Sequence, residues 1–442
     1  MSTLAVLASL WLAIGTAFIA WRWLAGRGVG LVVSVILGLS AIHLIAALLY
    51  LLPWYYEGYD PRVVDEGFRV AFQGLCAFCL GALLAVRALP NSDSEPDGVA
   101  HAAAPYGWAY IISGIIMYAV LWPRMGRIAS LGALVAAGSS YVVLGICLRC
   151  WTADHARLAR WLGASALLPF LTILTQGYLS YGLAALMAVI AFVAETARSR
   201  KALLVVGLLL GYVTMSFYVT YMRDRAQIRD TVWNGAEAGR RMDVIAKSLS
   251  QFEWFDIYDP DHLLRVDDRL NQDYLVGLAV DRLRRREVGF GNGETVKDAF
   301  IALLPRALWP EKGIVAGSMD IVSRYTGLMF AEGTSVGVGL VMELFVNFGL
   351  PGVWIGFAAF GALLVFNDTH AHGALRRGDA ARFAMWYLPG SSLLQLCGGS
   401  LVDGSASAAA AIVSVLIVNV IVTATVVRSA RRAPALVPER LL

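Results

Sequence analysis

Charge is what this sequence has least of. Only 15% of its 442 residues are Asp, Glu, Lys or Arg, against 58% hydrophobic residues and a mean hydropathy of +0.64, whereas a soluble domain carries about a quarter charged residues. That excludes a soluble globular chain. The net charge of +4 sits in short clusters between apolar runs, a pattern that serves membrane orientation and not nucleic-acid binding. Cysteine is also scarce. Cys76, Cys79, Cys147, Cys150 and Cys397 lie in or beside apolar segments, and the two CxxC pairs have no nearby His or second pair to complete a zinc site, so they read as small apolar helix residues. The N-terminus lacks a basic region and a small-residue cleavage site before Arg22 and reads as a retained first span. The GFGNG run at 289–293 follows no strand and is a turn, not a dinucleotide fingerprint. Internal symmetry of the transporter kind is missing too.

Long apolar runs are what the sequence does have. A spanning helix needs about 20 mostly apolar residues, and that rule places spans near 3–21, 29–52, 68–89, 105–123, 129–148, 160–176, 178–196, 202–221, 350–367, 382–398 and 406–427. The expected fold is therefore an all-α polytopic membrane protein with about eleven transmembrane helices. Arg22, Arg27, Arg87, Arg149, Arg157, Arg160, Arg198, Arg200, Lys201, Arg376, Arg377, Arg382 and the tail arginines all fall on one side. The positive-inside rule makes that side cytoplasmic and puts the N-terminus outside.

The composition breaks at Arg223. Residues 223–334 hold 16 basic and 18 acidic residues, half of the charge of the chain, and the same parity places this segment outside. Three parts follow: 1–222 with eight spans, 223–334 as one large external loop, and 335–442 with a half-span or re-entrant segment, three more spans and a basic tail. Within the loop, Asp259 and Pro260 open a helix. Leu263, Val266, Leu270, Tyr274 and Leu278 carry an apolar stripe along it toward Gly289. A second amphipathic helix, TVKDAFIALL, presents Val296, Phe300, Leu303 and Leu304 before Pro305 and suits the membrane interface.

Next comes ALLPRALWPEKG, residues 302–313. Two prolines restrict the chain around Arg306, Trp309 suits headgroup depth, and a stiffly held guanidinium with Lys312 nearby suits phosphate. The neighbouring Arg284, Arg285 and Arg286 read as a solvated helix end.

The segments NGETVKDAFIALLPRALWPEKG and EGTSVGVGLVMELFVNFGLPGVWIG resemble Wzy-type repeat-unit (O-antigen) polymerases. In these proteins a late external loop carries a Pro-Arg-x-x-x-Pro-x-Lys stretch, here Pro305, Arg306, Pro310 and Lys312. A Glu-x-x-x-Asn-Phe-Gly segment follows, here Glu343, Asn347, Phe348 and Gly349. Gly313 stands where the family commonly has proline. The resemblance spans 265–355 and implies a metal-independent, cofactor-free glycosyltransferase of GT-C-like architecture in the bacterial inner membrane. Its donor and acceptor would be undecaprenyl-pyrophosphate-linked glycans, and its other partners membrane lipids and a chain-length regulator. Arg306 would stabilise the departing pyrophosphate, with Arg269, Lys312 and Arg324 in support. Glu343 or Glu332 would be the catalytic carboxylate, with Glu294 as a rival, while a structural role for Glu343 beside a buried arginine stays open. An O-antigen ligase is the alternative, favoured if His262 were required, and a lipid-linked glycan flippase is the non-enzyme alternative.

Four further features are expected to be structural. Tyr178 and Tyr181, with Gln176, read as interface-belt residues more than a glycan path. His43 reads as hydrogen-bonded between helices. His370 and His372 read as solvated loop residues. The triplet Asn367, Asp368 and Thr369 fits a glycosylation acceptor but falls at the cytoplasmic end of a span.

Overall fold

The computed structural model describes residues 2–55, 58–89, 100–126, 128, 131–196, 201–304, 309, 311, 317–331, 334 and 336–432, with the backbone alone at 100–102, 201–210 and 429–432. The described residues form helices and connecting turns, with no strand. Eight helices are long and apolar enough to cross a membrane: Thr3–Ala25 (α1), Leu31–Leu49 (α2), Pro61–Ala88 (α3), Ala103–Met125 (α4), Leu131–Trp151 (α5), His155–Gln176 (α6), Leu340–Arg376 and Leu401–Arg428. The molecule is a multi-pass helical membrane protein. Ser180–Thr196 (α7) is a shorter apolar helix of 17 residues, and the expected span at 202–221 lies within a 33-residue helix, Lys201–Trp233 (α8).

Four helices follow α8 before the chain returns to the bundle: Ala238–Ser250 (α9), Pro260–Leu270 (α10), Gln272–Arg284 (α11) and Glu294–Ala302 (α12). Ser318–Thr326 (α13) then leads into Leu340–Arg376 (α14), Ala380–Ser392 (α15) and Leu401–Arg432 (α16). The expected span at 382–398 is α15 followed by a 3-10 turn, Leu393–Cys397. Apolar side chains such as Leu84, Ile355, Val420 and Ile421 point out of the bundle, as lipid-facing positions do. The core packs Trp11, Phe68, Phe78, Phe357, Phe383 and Tyr387. All five cysteines are free, in keeping with their reading as apolar helix residues.

Two expectations about helix ends need correction. The single helix expected from Asp259 toward Gly289 is two, because Asn271 leaves the helical region (φ −94°, ψ 82°). Its side chain accepts from Tyr274 N–H at 3.0 Å and donates to Asp267 at 2.7 Å, so one residue ends α10 and caps α11. The expected span at 350–367 continues to Arg376, so His370 and His372 are helix residues and not solvated loop. His370 sits between Phe366 and Trp386, and His372 Nδ1 faces the Gly28 carbonyl at 3.1 Å. Asp368 is wholly buried and, with Glu195, holds Arg22. Its carboxylate also takes the Val29 and Leu31 N–H groups of the α1–α2 turn. A charge this deep persists only when paired in this way.

The loop helices dock onto the bundle through α3. A Cβ on Gly67 would lie 1.9 Å from the Asp273 carbonyl oxygen, and a Cβ on Gly277 1.9 Å from that of Val63, so α3 and α11 cross backbone to backbone, as small residues allow. The Tyr50 and Tyr55 hydroxyls donate to Asp267, each at 2.8 Å, and Tyr59 stacks on Tyr274 with centroids 3.8 Å apart. Gly67→Ala and Gly277→Ala each force this crossing apart. Either should lower stability by about 1–3 kcal/mol, read as a lower melting temperature in detergent, while an alanine at exposed Gly163 should not.

Candidate functional site

Helix α8 runs past its apolar part and carries three arginines with different fates. Arg223 donates to Glu253 at 2.6 Å and to Asp224 at 2.7 Å, and these partners raise its pKa. Arg225 and Arg229, one turn apart and so on one face, have no carboxylate within salt-bridge distance among the described residues, and neither has Arg269 at the end of α10. Burial, then the charges of Arg269 and Arg229, pull the Arg225 guanidinium down to about 10. The direction is opposite to that of Arg223 because at Arg225 burial dominates and the nearby arginines add to it, whereas carboxylate partners outweigh burial at Arg223.

Aromatic rings hold Arg229 in place. Its guanidinium carbon lies 4.5 Å from the Tyr178 ring centre and 5.4 Å from that of Trp233, a cation–π arrangement. Trp233 Nε1–H is anchored on the Gln176 carbonyl at 3.1 Å. Tyr178 is thus a wall of a cationic niche rather than a belt residue alone. Tyr218, two turns before Arg225, brings a hydroxyl within electrostatic reach of Arg269 and Arg225. That hydroxyl and Arg229 Nε are buried with no hydrogen-bond partner. Buried polar atoms are nearly always satisfied, so three uncompensated guanidiniums with two idle polar atoms describe a place for an anion.

The acidic side of the same end is built by α14 and α16. The half-span expected before Pro351 is there as the first turns of α14, which break at Gly349 (φ 64°, ψ −156°). The 289–293 turn closes the break: Gly291 N–H donates to the Val346 carbonyl at 2.9 Å, Asn292 N–H to the Asn347 carbonyl at 3.2 Å and Gly293 N–H to the Asn347 side chain at 3.0 Å. Asn347 reaches on to Thr295 at 2.8 Å. Glu343 is wholly buried. One oxygen accepts the Leu401 N–H at 2.7 Å, and Oε1 has no hydrogen-bond partner among the described residues. Its companion among the described residues is therefore the N-terminus of α16, with no arginine paired to it there. Two residues on, Asp403 is exposed, accepts from Ser400 at 2.7 Å, and lies within electrostatic reach of Glu343 and Tyr181. Tyr181 in turn reaches Arg229. A solvent-facing carboxylate and an uncompensated cationic niche share this end of the bundle.

No protein-family model matches the sequence, and no curated protein and no solved structure is significantly similar to it. The residues must speak for themselves. Of the expected site, Arg306, Lys312 and Glu332, with Pro305 and Pro310, lie outside the described residues. Arg269 joins the niche. Arg324 goes elsewhere: it pairs with Glu294 at 2.9 Å, both side chains more than half exposed, and lies against the Tyr325 ring. Arg284 and Arg285 form surface pairs with Glu66 and Asp281, as a solvated helix end should. His262 is buried with both nitrogens in use. Nδ1 accepts the Asp256 N–H at 3.0 Å, which leaves Nε2–H facing Glu253 at 3.3 Å.

Arg225, Arg229, Tyr218 and Asp403 were missed. The i, i+7, i+11 spacing of Tyr218, Arg225 and Arg229 past an apolar run was the available signal; for Asp403 there was none. Tyr218→Phe removes no hydrogen bond and should leave the melting temperature unchanged. Glu253→Gln weakens the acceptor shared by Arg223, Arg265 and His262 and should cost about 1–3 kcal/mol, read by thermal unfolding.

Proposed function

We propose that this protein is a membrane glycosyltransferase that polymerises lipid-linked oligosaccharide repeat units. The growing glycan passes from undecaprenyl pyrophosphate to a hydroxyl of the acceptor repeat unit. The observation that carries this reading is the niche of Arg225, Arg229 and Arg269, three guanidiniums with no carboxylate at salt-bridge distance among the described residues, two of them, Arg225 and Arg269, within electrostatic reach of the idle Tyr218 hydroxyl. A diphosphate supplies the missing charge, and its oxygens accept from planar guanidiniums. In the reaction the acceptor oxygen forms the new bond to the anomeric carbon and the bond from that carbon to the phosphate oxygen breaks. The pyrophosphate leaves with the electron pair, and the niche stabilises its charge. Arg306 and Lys312, which the resemblance assigns to the same task, add to that charge in this reading.

The hydroxyl proton needs an acceptor. Enclosed Glu343 reaches no surface and Glu294 is engaged by Arg324, so exposed Asp403 takes this role and Glu343 steadies the α16 N-terminus that carries it. The ligase alternative calls on a catalytic histidine in the loop. His262 spends both nitrogens on the loop's own structure, which favours the polymerase reading. The sidedness proposed here is a periplasmic niche in the inner membrane.

The decisive experiment supplies purified, reconstituted protein with lipid-linked repeat units and follows polymer and released undecaprenyl pyrophosphate together. Wild type should produce both, Arg225→Ala and Arg269→Ala should lose about 10²–10³ in rate, and Asp403→Asn about 10²–10⁴. His262→Gln should still polymerise. Transport of the lipid-linked glycan without pyrophosphate release would replace the enzyme with a carrier.

A further inference from the structure

Besides Glu343, Asp267 and His262, the described residues bury acidic, arginine or histidine side chains in two further clusters. Arg22, Glu195 and Asp368 bind one another and the turn between α1 and α2, and that knot is accounted for by its own bonds. His43 and Asp273 are different. Both are wholly buried, His43 within α2 and Asp273 in the first turn of α11, with His43 Nδ1 and Asp273 Oδ1 2.6 Å apart. His43 Nε2 and Asp273 Oδ2 have no hydrogen-bond partner. An ionisable histidine inside a span, here buried against a carboxylate of the loop helix α11, is costly and is normally kept for use. The histidine also sits on a π-helical turn, Ser40–Leu44, a distortion that often marks functional positions.

We infer that His43 and Asp273 are a positioning pair for Arg269. The corner between α10 and α11 is pinned at two points, and Arg269 lies between them. On one side Asp267 is held three times over, by the hydroxyls of Tyr50 and Tyr55 and by the Asn271 amide. On the other side Asp273 has a single side-chain partner, His43. Burial pushes the Asp273 carboxyl up to about 6, against the charge and hydrogen bond of His43, so its ionised form depends on the imidazole facing it. Without that contact α11 keeps its backbone crossing with α3 and the Tyr59–Tyr274 stack but loses the hydrogen bond of Asp273 into the bundle, and Arg269, exposed on a short helix end, loses its bearing toward Arg225. The inference rests on the niche being an anion site, and its test separates the two.

Inorganic pyrophosphate is titrated calorimetrically into the purified full-length protein. Asp273→Asn and Arg269→Ala should each weaken binding about tenfold, and the double variant should be no weaker than Arg269→Ala, since both changes remove one contribution. In an Arg225→Ala background Asp273→Asn should still cost its full factor. A general loss of structure would penalise both backgrounds alike, and that result, or wild-type affinity in Asp273→Asn, overturns the inference. Should Asp273→Asn not fold, His43→Gln/Asp273→Asn, which removes both charges together, replaces it in the same cycle. If wild type does not bind pyrophosphate, the anion site is what fails, and tryptic cleavage after Arg269 decides the pinning. Faster cleavage in the variant than in wild type upholds it, and equal rates overturn it.

Discussion

Because Gly67 and Gly277 carry no side chain, α3 and α11 cross with their backbones in contact, and the outer segment is bolted to the bundle instead of resting on it. Every polar feature of the loop end takes its position from that crossing. It brings Asp273 to His43 and Asp267 under Tyr50 and Tyr55, which fixes the corner from which Arg269 meets α8. A loop free to move would average those charges over solvent, where like-charged guanidiniums separate at little cost. Held together, with Arg225 and Arg229 half-buried, they repel, and in the function proposed here an anion relieves that repulsion.

The two sides of this end use opposite solutions to the same physical problem. On the acidic side the break at Gly349 frees carbonyls that the 289–293 turn takes up, and one Glu343 oxygen meets the first N–H of α16 while the other has no hydrogen-bond partner among the described residues. On the cationic side, charges and a hydroxyl are left without partners.

Much of the fold was legible because membrane spans announce themselves by length and apolarity, and because Asp259, Pro260 and the half-span before Pro351 carry their end signals in local sequence. The corner at Asn271 was not, since an asparagine inside an amphipathic stripe ends the helix only when its side chain finds partners on both sides, here the Tyr274 N–H and the Asp267 carboxylate. His370 and His372 looked like loop residues because their polarity says nothing of Trp386 and Gly28, which come from distant parts of the chain. Of the candidate site, Arg269 was reached from its place in the loop. Arg225 and Arg229 looked no different from Arg223 until the carboxylates beside Arg223 separated them.

The sequence by itself determined that the chain crosses a membrane many times, which segment carries half of its charge, and that this segment is helical. These are properties of composition and period, and each is settled within a few turns of chain. Which charges are paired and which are left over was decided only by the tertiary structure. Glu253 reaches Arg223 across 30 residues, Asp273 reaches His43 across 230, and Asp368 reaches Arg22 across 346. A residue's net charge is written in its own letter, but its compensation belongs to whatever the fold brings beside it.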